Sequence, residues 1–200
     1  MSGIIAQNTL DNSGLIKAPA GGGAWNFISK VTASASADIS FTSGIDSTYK
    51  EYLITINNMH PASTGKMNVF FRDGGSAFDA TVTSTNFSAY NAEDASATSL
   101  YMETDMDVAQ GTTVPFIRNP GADSTDSSAA VIMYLFNPSS TTFIKHFLIT
   151  DSYVYGDSYG AFSDRKGGYI NTTTAIDGVK FQMASGNIDS GDFCLYGLTT

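Results

Sequence analysis

Cysteine is almost missing from this chain: Cys194 is the one example among 200 residues. That excludes a disulfide framework within the chain, and a lone thiol cannot by itself make a metal site. Set between Phe193 and Leu195, it reads as a buried packing residue. Charge is scarce as well, at 14% of residues against the roughly one quarter of an ordinary soluble domain. Ten Lys and Arg face nineteen Asp and Glu, for a net charge of −9, and the basic residues are scattered along the chain. Phosphate neutralisation therefore has no footprint, and no nucleic-acid partner is expected. No apolar run approaches the roughly 20 residues of a spanning helix, so no membrane insertion is expected. The opening MSGIIAQNTLDNSG has no basic region ahead of a long apolar stretch and does not read as a secretory signal. No repeat with a period of about 20–50 residues is visible, which argues against propellers and solenoids.

What is present is a 42% hydrophobic chain rich in Gly, Ser, Thr, Asn, Asp and aromatics. That is enough for a real core, built from strands joined by polar turns. Two regions differ in texture. Residues 1–23 hold short apolar pieces without a sustained period, ending in Gly21, Gly22 and Gly23, and read as an extended arm with a flexible joint. Its apolar residues Ile4, Ile5, Leu15 and Ile16 either fold back or dock on another chain, and docking as an anchor is the preferred reading. Residues 24–200 are punctuated as strands. EYLITIN alternates cleanly, with Tyr52, Ile54 and Ile56 on one face. AWNFISKVT places Trp25, Phe27 and Ser29 on one side. DGVKFQMA sends Val179, Phe181 and Met183 inward with Lys180 and Gln182 outward. In the terminal strand, Phe193, Leu195 and Leu198 close the core, Gly186 and Gly191 make the turn before it, and Gly197 allows a close backbone approach.

AAVIMYLF is apolar on both faces, so one face packs the core and the other needs covering by an arm, a loop or a neighbouring subunit. The acidic stretch from Asn91 to Gln110 reads mainly as loop. About eight to ten such strands without a helical pattern fit an antiparallel β-sandwich of jelly-roll type, with a closed barrel as second choice.

Catalysis has few candidates. His60 lies at a turn before Pro61 and His146 within a strand, and no nucleophile motif accompanies the many Ser and Asp residues. Glu93, Asp94, Glu103, Asp105 and Asp107 all fall in the acidic stretch, whose simpler reading is a solvated loop. TDMDVAQGT and DSTDSS offer oxygen ligands without the twelve-residue calcium-loop pattern. No enzyme activity, metal or other cofactor is expected. The richest surface candidate is DSYVYGDSYGAFSDRKGGY, where Tyr153, Tyr155, Asp157, Tyr159 and Tyr169 could contact a glycan or protein with little entropy loss.

Several stretches carry a resemblance: DSTYKEYLITINN, NPSSTTFIKHF, GGYINTTTAIDGVKFQMASGNI and the closing GNIDSGDFCLYGL, together with the opening SGIIAQNTLDNSGLIKAP. The chain resembles virion structural proteins of tailed bacteriophages, of the marine and cyanobacterial type. The resemblance implies a non-enzymatic β-sandwich displayed on a virion as a decoration or fibre protein, held by its arm to other virion proteins. It also implies a homo-oligomer, most often a trimer, assembled in the host cytoplasm. The alternative is a receptor-binding tail-fibre or tail-tip module that recognises a host-surface glycan. Residues 91–128 match least.

Overall fold

Alternation of side chains sets thirteen strands, described by a computed structural model for residues 24–122, 126–156 and 160–199. The arm residues Ile4, Ile5, Leu15 and Ile16 lie outside the described residues. In chain order the strands are β1 (Trp25–Ser36), β2 (Ile39–Phe41), β3 (Glu51–Pro61), β4 (Met67–Arg72), β5 (Val82–Asn91), β6 (Thr98–Met102), β7 (Val108–Gly111), β8 (Val114–Ile117), β9 (Ala129–Phe136), β10 (Lys145–Val154), β11 (Ala161–Ile170), β12 (Gly178–Met183) and β13 (Ile188–Leu198). A 3-10 turn, Thr104–Met106, separates β6 from β7.

The strands form two antiparallel sheets. The larger runs β1-β13-β3-β9-β10-β11-β5-β6, with β7 also paired to β5; the smaller runs β2-β12-β4-β8. Without β5, β6, β7, β10 and β11, four strands remain in each sheet, and early strands of the chain alternate with late ones across both. The five additional strands all extend the larger sheet beyond β9.

The inner faces meet in one apolar core. Tyr52, Ile54 and Ile56 point inward from β3, as their alternation requires, and Val179, Phe181 and Met183 do so from β12. Aromatic rings join the layers: Phe71 of β4 lies 5.2 Å from Phe147 of β10, and Phe181 of β12 lies 5.6 Å from Phe193 of β13. Gly197 does allow a close approach, because a Cβ there would sit 2.1 Å from Cδ2 of Tyr49.

Four details of the sequence reading change. Leu198 does not close the core; it pairs with Trp25 on the outer side and is half-buried. Gly191 lies within β13 at a register shift against β3, while Gly186, at φ +74°, makes the turn. Ser29 does not share a face with Trp25 and Phe27, because a bulge between Phe27 and Ser29 reverses the phase of β1. The acidic stretch is not mainly loop: β6 and β7 lie end to end along β5, interrupted where the 3-10 turn drives Met106 into the interior. At that break Asp107 takes over a ladder bond, accepting the Asn86 backbone N–H at 2.7 Å, and the Glu103 N–H donates to the Asn86 carbonyl.

Gly168 shows how tightly β11 is seated between its neighbours. A Cβ there would lie 2.6 Å from Cζ of Phe147 and 2.8 Å from the backbone oxygen of Thr83. The ring is held in the core and the carbonyl in a ladder, so neither can yield cheaply. Gly168→Ala is expected to lower stability by about 1–3 kcal/mol, measured as a lower urea midpoint at an unchanged slope.

Candidate functional site

The tyrosine-rich segment was the leading candidate, and the structure divides it. Tyr153 is 3% exposed and points into the sandwich, where its hydroxyl donates to Oδ2 of Asp164 at 3.2 Å. It is therefore not part of a ligand-binding surface: the period of two along β10 puts it on the same inward face as Phe147 and Ile149. Tyr155 is half-buried and stacks on Phe162 at 4.5 Å, which itself stacks on Tyr90 at 4.9 Å. Tyr169 stands on the outer face with its ring edge towards His146, on the strand next to it, 6.3 Å away. Asp157 and Tyr159 lie outside the described residues. The segment thus places two of its tyrosines in ring clusters or the interior rather than converging all of them on one open site.

The acidic stretch is also more structured than a solvated loop. Glu103 is buried and accepts from Nη1 of Arg118 at 2.9 Å, while Asp105 pairs with Lys66 at 3.2 Å. Burial, with the Glu103 carboxylate beside it, pushes the Tyr101 hydroxyl up to about 12. These charges are already paired with each other. His60 and His146 lie apart, His60 with Nδ1 2.8 Å from the Ser127 carbonyl. Among the described residues no group of three His, Cys, Asp or Glu side chains is placed to hold a metal ion.

The feature that remains unexplained by folding is the outer face of the larger sheet. Strand register carries its side chains in continuous rows. One row runs Phe27, Tyr196, Leu53, Tyr134, Leu148 across β1, β13, β3, β9 and β10. The next runs Lys30, Cys194, Thr55, Ile132, Thr150, Arg165, Phe87, Met102 from one edge of the sheet to the other. Rings reinforce the first region: Phe27 packs edge-on to Tyr196 at 5.7 Å, and Tyr134 stacks on Phe136 and touches Trp25, each at 6.2 Å. Phe27 is 60% exposed, Ile132 45% and Leu100 70%. Beside Ile132 the small side chains Ala130, Ser152 and Ser163 leave a shallow trough.

Sequence reasoning found part of this surface, the second apolar face of β9. It missed the extent, because which face of β1, β6 and β10 turns outward depends on bulges and partners that alternation alone does not reveal. No protein family, curated protein or solved structure matches the chain.

Proposed function

We propose that this chain is a non-enzymatic structural subunit of a tailed-phage virion, a decoration or fibre protein that assembles with its own copies through the outer face of the larger sheet. One observation carries the reading: a broad apolar and aromatic face that the described residues leave open to solvent. Such faces on soluble chains mark association sites. Eight strands at about 4.8 Å spacing give it a width of about 38 Å; with the adjoining row Trp25, Leu198, Glu51, Phe136 and His146, three rows give a depth of about 20 Å, close to the ~800 Å² that each side of a stable interface buries.

Charge supports a second copy as the occupant. The chain carries −9 overall, so copies repel one another in general. On the outer face, two cations, Lys30 and Arg165, nevertheless stand against two anions, Glu51 and, one row beyond Lys30, Asp192, with Lys30 and Asp192 paired at 2.8 Å. This neutral region is where two like-charged chains can meet at least electrostatic cost. The four strands left in each sheet when β5, β6, β7, β10 and β11 are set aside, β1-β13-β3-β9 and β2-β12-β4-β8, support a jelly-roll reading, an architecture that viral capsid proteins use. The resemblance of the sequence to phage virion proteins supplies the particle, the anchoring role of residues 1–23 and a copy number of three.

Electron cryomicroscopy of the intact particle tests this reading. The chain is expected as repeated density on the head or tail, lost when residues 1–23 are deleted. Particles that lack the chain, or that retain it fully after the deletion, contradict the proposal.

A further inference from the structure

We propose that Asp151 and Asp164 share a single proton inside the sandwich, so that the folded chain holds a carboxylic acid hydrogen-bonded to a carboxylate. The inference rests on the fold alone and is independent of the particle. Register places the two residues opposite each other, between the pairs Thr150 with Arg165 and Tyr153 with Phe162. Both are buried, Asp164 almost completely. Three of their contacts are defined: the Asp164 N–H donates to Oδ1 of Asp151 at 2.9 Å, Tyr153 donates to Oδ2 of Asp164, and Ser163 ties down the Asp151 carbonyl. Oδ2 of Asp151 and Oδ1 of Asp164 are left without a hydrogen-bond partner among the described residues. Buried polar atoms almost always have one, and a proton held by the pair would supply the donor that these oxygens lack.

The surrounding cations offset the burial of the pair only in part. Lys166, two residues along β11 on the same inward face, donates to the Met106 carbonyl at 2.7 Å and to Ser84, and its charge favours the ionised form of both aspartates without outweighing their burial. Asp107, from the segment after the 3-10 turn, faces Lys166. Arg118, following β8, is held by Glu103. From β5 the pair meets Ser88, which hydrogen-bonds Asp164, and Asn86, whose side-chain Nδ2 and Oδ1 also lack a partner among the described residues; neither brings charge, and β9 brings Val131. Neither aspartate forms an ion pair among the described residues. Two bare carboxylates side by side in such surroundings are strongly disfavoured, and one proton relieves both the repulsion and the unmet bond. Burial indeed pushes both carboxyls upward, Asp151 far above its ordinary value, with the Asp164 charge adding to it.

The sign of the linkage follows. An aspartate titrates near 3.9 in the unfolded chain and higher in the fold, so the folded chain binds one proton more than the unfolded chain between those values. Stability from this pair is full below about pH 4 and is lost as pH rises towards the folded value. Lys166, pushed down to about 8 by burial, acts with the opposite sign only above that pH.

Thermal denaturation of the full chain between about pH 4 and pH 7 tests this, with Asp151→Asn as the comparison, because the amide donates to Asp164 where the acid would and cannot ionise. Wild-type Tm should fall relative to Asp151→Asn by about 3–5 °C per pH unit, the slope of one linked proton in a chain this size, until the folded value is reached. The folded wild type should also show a carboxylic-acid C=O band in the infrared well above pH 4 that Asp151→Asn lacks. Parallel Tm profiles together with no such band overturn the proposal. If Asp151→Asn does not fold, Asp164→Asn supplies the same two readouts.

Discussion

Phe181→Ala is expected to remove about 3–5 kcal/mol of stability, the usual loss for a buried phenylalanine cut back to alanine. Phe181 is fully buried and joins two others: Phe116, 6.0 Å away in the smaller sheet, and Phe193, 5.6 Å away in the larger. Its ring therefore belongs to both layers, and a strand shift could fill the space only by breaking the ladders that β12 makes with β2 and β4. At about 2–4 °C per kcal/mol for a chain of this size, Tm should fall by roughly 10 °C. Phe143→Ala provides the contrast. Phe143 is an exposed residue of the β9–β10 connection, and its replacement should stay within about 0.5 kcal/mol. Equal effects at the two positions would mean that the sheets are not held together as described.

The second large effect concerns association. Ile132→Asp combined with Leu148→Asp places two negative charges at the middle of the outer face, on adjacent strands β9 and β10. Both side chains already contact solvent in the single chain, so the fold should survive with little change in Tm or circular dichroism. Association should weaken at least about 100-fold, since each site lies in the region where truncation of a central residue costs about 2 kcal/mol or more, and the new charges add repulsion between acidic chains. Sedimentation velocity at matched concentrations reads this directly. Unchanged association in a folded double variant would move the interface elsewhere.

Much of the fold was legible in the sequence wherever alternation is unbroken. EYLITIN and DGVKFQMA gave the correct inward residues because one face of each strand is polar enough to fix the phase. The terminal strand was partly legible: Gly197 admits a close neighbour, although that neighbour is the Tyr49 ring and not a backbone, and the bulges in β13 changed what Gly191 does. β10 shows the limit. Its inward set is Lys145, Phe147, Ile149, Asp151 and Tyr153, two-fold periodic but chemically mixed. Read by type, Lys145 and Asp151 belong outside and Tyr153 at a surface. The fold buries them because Lys145 finds the carbonyls of Thr172 and Thr174, and Asp151 finds Asp164, on segments far along the chain. Such partners leave no trace in local spacing. The same reason hid the pairing of Glu103 with Arg118, fifteen positions away, and made the acidic stretch look like a solvated loop. The outer face was visible only on β9, where both faces are apolar; its neighbours joined it through register.

Sedimentation equilibrium of the full wild-type chain at tens of micromolar tests the central claim most directly. The outer face covered by a second copy predicts a mass of two or more chains, falling to one chain in Ile132→Asp/Leu148→Asp. A wild-type mass of one chain throughout that range would contradict it, and the open apolar face would then have to serve something other than a copy of this protein.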